Sequence, residues 1–224
     1  MTPMRTRVKI CGITRVEDAV AAARAGADAI GVVFWRGTPR AVTFERARAI
    51  MAAVPAFVSV VGLFVDPAPD EVRAALANVP LDILQFHGSE PPEFCRAFGR
   101  PYLKAIAVKD GTDLLESFDR YHDAAGLLFD AYRKGDLPGG TGETFDWSKL
   151  PAERKRPLIL SGGLDPDNVA RAIRAVRPWA VDVSSGVEVR GKDGRPQRGI
   201  QGAARITAFI REVRNEDGRS SQGV

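Results

Sequence analysis

The chain has 224 residues, 45% of them hydrophobic and 27% charged, which is enough for one large buried core, and 32 basic against 28 acidic residues leave a net charge of +4. The basic residues are scattered rather than gathered in a block, which argues against a dedicated nucleic-acid surface and suits an anionic small molecule. The longest apolar run, residues 57–65, is broken by Ser59 and Gly62 and is too short to span a bilayer, no export signal is visible at the N-terminus, and two cysteines, Cys11 and Cys95, give neither a disulfide framework nor metal-ligand spacing, so a cytoplasmic protein without membrane partners is expected.

In chain order, eight short apolar or β-branched runs read as strands: Val8–Cys11, Ala29–Phe34, Val58–Phe64, Ile83–Phe86, Tyr102–Ala107, Gly126–Phe129, Leu158–Leu160 and Ala180–Val183. Most are separated by Ala/Arg/Glu-rich stretches with helical signals, so the sheet is expected to be parallel with right-handed crossovers. The first helix is the clearest, with Thr14 and Glu17 spaced as a capping box, alanines through Ala25, and Gly26 as the stop. Asp165-Pro166 marks a later helix start. Eight strand-helix units in this length favour a closed (β/α)8 TIM barrel over an open doubly wound sheet. One barrel domain is assigned to residues 1–214, with 215–224 as a frayed tail and the Gly/Pro-rich stretch 190–199 as a solvated insertion.

In a barrel, chemistry belongs at the C-terminal ends of the strands. Cys11 closes the first run and is either a catalytic thiol or a packed core cysteine. Asp130 closes the sixth and is either a general acid or a structural acceptor; Asp182, inside the eighth, carries the same ambiguity. His87 ends ILQFH and is open between binding and structure, while His122 sits in a polar stretch and reads as surface. Arg40, after the second strand, offers a planar fork to a substrate carboxylate, or is a solvated arginine. The glycines of SGGL (161–164) and of SSGVE (184–188) let backbone N–H groups approach an anion, and loops seven and eight of barrels commonly hold a phosphate. GGTGET (139–144) imitates a nucleotide-binding loop, but Leu137 and Glu143 stand where glycine and lysine are required, which excludes an NTPase. Two separate histidines cannot make a His-rich metal set, so no metal is expected.

Taken together, KICGIT (9–14), GVVFWRGTPR (31–40), VGLFVD (61–66), LQFHGSE (84–90), LLFDAY (127–132), GGTGETFDW (139–147), LSGGLDPDNV (160–169) and VDVSSGVE (181–188) resemble, in order and over most of the chain, the motifs of the phosphoribosylanthranilate isomerase family of tryptophan biosynthesis. The resemblance implies a cofactor-free Amadori rearrangement of N-(5-phosphoribosyl)anthranilate to 1-(2-carboxyphenylamino)-1-deoxyribulose 5-phosphate, by a monomer or homodimer. It implies Cys11 as general base, Asp130 as general acid, Arg40 on the anthranilate carboxylate, Asp182 near the sugar hydroxyls, and the phosphate against Gly162, Gly163, Ser184, Ser185 and Gly186; His87 falls in a matching motif and is grouped with the substrate-binding residues. Lys9, two residues before Cys11 on an alternating strand, shares its face and can favour the thiolate. Three features depart from the family pattern: Asp66 where asparagine is expected, a longer segment after SSGVE, and Gln201-Gly202 in place of Lys-Asp. Competing readings are a phosphosugar epimerase, which the histidine pair disfavours; an indole-forming lyase, for which Lys104 is the one candidate lysine; and a non-catalytic phosphate-binding module.

Overall fold

The computed structural model describes residues 5–109, 112–131 and 144–222. Eight parallel strands close into a barrel in sequence order: β1 (Arg7–Ile10), β2 (Ala29–Val33), β3 (Ser59–Phe64), β4 (Ile83–Phe86), β5 (Tyr102–Val108), β6 (Gly126–Ala131), β7 (Leu158–Leu160) and β8 (Ala180–Val183). Closure is made by β1 on β8, where Lys9 lies beside Asp182. Around it run α1 (Val16–Ala25), α2 (Phe44–Ala53), α3 (Pro69–Asn78), the short α4 (Pro92–Cys95), α5 (Leu114–Arg120), α6 (Val169–Val176) and α7 (Ala203–Gln222). All eight expected strands are present with ends shifted by at most two residues. The apolar runs read so clearly because a parallel barrel strand is covered on one face by helices and on the other by the interior.

Two apolar layers follow from period-two alternation. The main core lies between strands and helices and includes Ile10, Ile30, Phe86, Phe129, Phe209 and Ile210. A smaller one, of Leu103, Ala105, Leu128, Ile159 and Ala180, fills the inside of the barrel. Above it, towards the strand C-termini, the inward positions turn polar or reactive: Lys9 and Cys11 on β1 and its extension, Gln85 and His87 from β4, Asp130 on β6, Ser161 after β7, and Asp182 on β8. The alternation that buries apolar groups at the floor thus delivers functional groups to the mouth. Among the described residues, no helix is long and apolar enough to cross a membrane.

Three local expectations change and a fourth is refined. Thr14 does not cap α1; Arg15 occupies that position, and the Thr14 hydroxyl donates instead to the Gly199 carbonyl. Asp165-Pro166 opens a turn, held by Asp165 accepting from the amides of Asp167 and Asn168 at 2.9 and 3.0 Å, and α6 begins only at Val169. The stretch 190–199 is largely exposed, as expected, but it is structured as part of a hairpin of β9 (Glu188–Arg190) with β10 (Pro196–Gln201), whose base is buried at Glu188, Gly199 and Gln201. Residues 215–222 of the expected tail are instead the last part of α7, with Glu216 buried and paired with Arg174 at 3.0 Å and Asp217 accepting from the Thr6 amide and hydroxyl, each at 2.8 Å; residues 223–224 lie outside the described residues. Polarity of composition does not imply solvation where each polar group finds an internal partner.

Candidate active site

Cys11 lies at the mouth, 6% exposed, in an apolar collar of Val33, Leu63, Trp35 and Val65. Burial pushes its thiol pKa up, and Lys9 beside it only partly offsets that. Lys9 is itself buried, with Nζ 2.7 Å from Asp182 Oδ1. Burial disfavours its ammonium, but Asp182 and Cys11 outweigh that and leave its pKa raised, so Lys9 stays charged beneath the sulfur. The expected pairing of Lys9 with Cys11 is therefore present, yet the resting sulfur is a thiol. Asp182 also accepts from the Ser161 hydroxyl at 3.3 Å, so both of its oxygens already have protein partners.

Asp130 is 5% exposed. Its Oδ1 accepts from the Ala131 amide at 2.9 Å and its Oδ2 lies 3.1 Å from His87 Nε2. On the other side of that ring, Gln85 Nε2 is 2.9 Å from Nδ1. Both ring nitrogens of His87 are thus engaged within the protein, a relation that sequence left open. His122 is exposed, as its polar surroundings suggest.

Arg40 is 7% exposed and forms a bidentate pair with the fully buried Glu188, Nε to Oε1 at 2.7 Å and Nη2 to Oε2 at 3.0 Å. Glu188 Oε1 also accepts from the Gly199 amide at 2.7 Å. One edge of the guanidinium is therefore committed, which leaves the two Nη1 hydrogens and one on Nη2 for other partners.

The two glycine loops meet after β7 and β8. Gly162 and Gly163 both have positive φ, 84° and 64°, which turns the chain immediately after Ser161. Ser185–Val187 form one 3-10 turn, and a Cβ on Gly186 would overlap the Leu164 carbonyl oxygen, so only glycine lets the loops touch. Two residues not singled out from sequence pin this rim: Asn168 Nδ2 donates to the Gly163 carbonyl at 2.8 Å, and Arg205 on α7 donates to the Gly186 carbonyl from Nε at 3.1 Å and Nη2 at 2.8 Å. These bonds occupy the Gly163 and Gly186 carbonyls and hold the two loops in place. The loop GGTGET lies outside the described residues up to residue 143.

Gln201, a departure from the family pattern, donates from its side chain to the Cys11 carbonyl at 3.0 Å and from its backbone amide to the buried Asp18 at 3.0 Å. The hairpin is clasped onto the loop that carries the thiol. Asp66 has φ 44°, a conformation asparagine adopts more readily, and its Oδ1 accepts from the Ser89 amide at 2.6 Å. It ties two loops together.

Lys104 alternates with Leu103 and Ala105 and so points away from the barrel interior. Its Nζ is held by Glu90 Oε2 at 3.1 Å and by the carbonyls of Phe86, Gly88 and Ala105 at 3.2, 2.6 and 3.1 Å. A lysine so engaged, on the wrong face, does not serve the lyase reading.

A family model for N-(5'-phosphoribosyl)anthranilate isomerase matches residues 8–201. The chain belongs to that family. It is 53% identical over 208 residues to the N-(5'-phosphoribosyl)anthranilate isomerase of Alcanivorax borkumensis, covering 93% of this chain and 95% of the relative. The crystal structure of phosphoribosyl anthranilate isomerase from Thermotoga maritima superposes with TM-score 0.83 at 40% identity, covering 94% of this chain and 99% of that one. A structure of phosphoribosyl anthranilate isomerase in complex with reduced 1-(o-carboxyphenylamino)-1-deoxyribulose 5-phosphate gives TM-score 0.80 at 39% identity, with 94% and 99% covered. As a member of the phosphoribosylanthranilate isomerase family, the chain is a TIM-barrel isomerase of tryptophan biosynthesis.

Proposed function

We propose that the chain converts N-(5'-phosphoribosyl)anthranilate to 1-(2-carboxyphenylamino)-1-deoxyribulose 5-phosphate by general acid and base catalysis between Asp130 and Cys11. The observation that supports it most is the meeting, on the inward face at the strand ends, of one thiol over a buried ammonium and one carboxyl braced by an imidazole. Asp130 gives its proton to the furanose ring oxygen; the C1'–O bond breaks and the amine nitrogen lends its pair to form an iminium. The Cys11 sulfur takes the C2' proton, and the C–H electron pair becomes the C1'–C2' double bond of an enolamine, which tautomerises to the ketone. Burial raises the thiol pKa in the free protein, so the base is generated in the complex: the substrate iminium adds a second positive charge to that of Lys9 and favours loss of the thiol proton to solvent, which leaves the thiolate to take the C2' proton.

Around this pair, Arg40 directs Nη1 at the anthranilate carboxylate while Glu188 fixes the other edge of the fork. Asp182 contributes near the sugar hydroxyls through lone pairs beyond those used by Lys9 and Ser161. The phosphate rests on the backbone of Gly162, Gly163, Ser184, Ser185 and Gly186. No cofactor is called for, because protonation and deprotonation alone redistribute the electrons. The chain works in the cytoplasm as a monomer or homodimer, with this small phosphorylated aminosugar as its partner and neither nucleic acid nor membrane; both cysteines are free and buried, which suits a reducing compartment.

Steady-state kinetics of Cys11→Ala and Asp130→Asn test the reading. Each variant is expected to lose about two to four decades of kcat with KM little changed, the usual loss of a general base or acid. Near-normal turnover by either would remove its role.

A further inference from the structure

We infer that Gln85 and His87 are positioning residues that set the protonation state of Asp130, through an amide and a ring tautomer that reverse together. This rests on the assignment of Asp130 as the acid. Three residues stand in line: Gln85 on β4 is fully buried, its amide nitrogen lies 2.9 Å from His87 Nδ1, and Nε2 lies 3.1 Å from Asp130 Oδ2. In this arrangement the amide N–H donates to Nδ1, the ring therefore carries its proton on Nε2, and Nε2–H donates to a carboxylate. That is the spent form of the acid.

The far end of the same amide supplies the second observation. Gln85 Oε1 is buried and has no hydrogen-bond partner, a costly condition for a carbonyl inside a protein. Turning the amide by half a rotation brings Oε1 to Nδ1, where it accepts from Nδ1–H. Because the turn gives the buried carbonyl the partner it lacks, Gln85 favours the turned orientation and with it Nδ1–H. With the amide turned, the neutral ring has its lone pair on Nε2 and accepts from a protonated Asp130. That is the loaded form. The conversion balances: His87 passes its Nε2 proton to Asp130 Oδ2 and takes a solvent proton at Nδ1, the side chain as a whole being 11% exposed. One proton is gained from solvent, replacing the one that Asp130 gives to the ring oxygen.

The other charged groups around this line are engaged with partners of their own. Lys104 on β5 is paired with Glu90, Asp66 after β3 is held by the Ser89 amide, and Lys9 on β1 is paired with Asp182 on β8. Asp130 Oδ1 is held by the Ala131 amide in either form, which leaves Oδ2 as the oxygen that carries the proton.

Nitrogen-15 NMR of His87 in the intact protein, followed across the pH range of activity, reads the tautomer directly. The proton is expected on Nδ1 at the acidic end and on Nε2 at the alkaline end; a ring that holds Nε2–H throughout overturns the inference without any variant being made. Gln85→Leu removes the acceptor for Nδ1–H, so Nε2–H facing the carboxylate prevails and the alkaline limb of kcat/KM is expected to move down by about one pH unit, roughly a tenfold loss at a fixed alkaline pH. A variant with an unmoved limb and merely lower stability would make Gln85 a packing residue and overturn the inference. Failure of the acid assignment is distinguishable, because it shows as near-normal turnover of Asp130→Asn whatever the tautomer does.

Discussion

Cys11 shows how two opposed influences meet at a single atom. Its apolar collar penalises the thiolate, Lys9 below favours it, and Asp182 opposes Lys9; burial is the largest of these and the thiol pKa rises. Replacing Lys9 by methionine keeps the volume of the stem but removes the positive charge, and the thiol pKa is expected to rise further. Measured by the pH dependence of Cys11 alkylation, reaction in Lys9→Met should be slower at every pH below the plateau; an unchanged profile would show that the ammonium does not act on the sulfur. The same substitution leaves Asp182 buried without its cation, so a stability loss of about 3–5 kcal/mol is expected alongside. Sequence placed Lys9 and Cys11 on one face because alternation along a strand is local. It did not reveal Asp182 as the partner of Lys9, since the register of β1 on β8 joins residues 173 positions apart.

At the scale of elements, the β9–β10 hairpin is part of the active-site wall. Gln201 holds the Cys11 carbonyl, Thr14 holds Gly199, and Glu188 receives both Arg40 and the Gly199 amide. The loops after β7 and β8 are joined at Gly186, where no side chain fits beneath Leu164. Gly186→Ala is expected to push these loops apart and raise KM for the phosphorylated substrate by one to two decades, about 1.4–2.7 kcal/mol of lost binding, with a smaller effect on kcat. Inhibition by inorganic phosphate should weaken in parallel; equal inhibition of both proteins would place the phosphate elsewhere. The glycines were visible in sequence, but that one of them faces a carbonyl across a loop junction was not, because such contacts depend on how two strand ends are staggered.

For the whole molecule, both cysteines are buried with raised thiol pKa values, Cys95 pushed up to about 12 by burial first of all. In the unfolded chain a thiol ionises near about 8.5. Above that pH the unfolded state holds fewer protons than the folded one, so stability falls as pH rises, by up to about 1.4 kcal/mol per pH unit for each thiol until the folded value is reached. Urea unfolding at pH 8, 9 and 10 is expected to show this decline, and Cys95→Ala to make it shallower. A slope unchanged in that variant would assign the decline to other groups. A separate strain sits in the loop before β3, where Phe57 is fully exposed with φ 71°. A bulky side chain gains nothing from burial there and occupies a backbone region that disfavours it.

The order and length of the strands, the closed parallel barrel, the inward positions of Cys11 and Asp130 and the family motifs were determined by the sequence itself, because alternation, short apolar runs and turn glycines are properties of near neighbours. The tertiary structure alone decided which charges meet: Arg40 with Glu188, Lys9 with Asp182, Lys104 with Glu90, and His87 between Gln85 and Asp130. It also made residues 215–222 of the expected tail the end of α7 and folded the largely exposed stretch 190–199 into a hairpin whose base clasps the thiol loop. The physical reason is the same in each case. Partners at hydrogen-bond distance are chosen by barrel closure and strand stagger, which bring together residues far apart in the chain, and an isolated polar side chain carries no mark of which buried group it will meet.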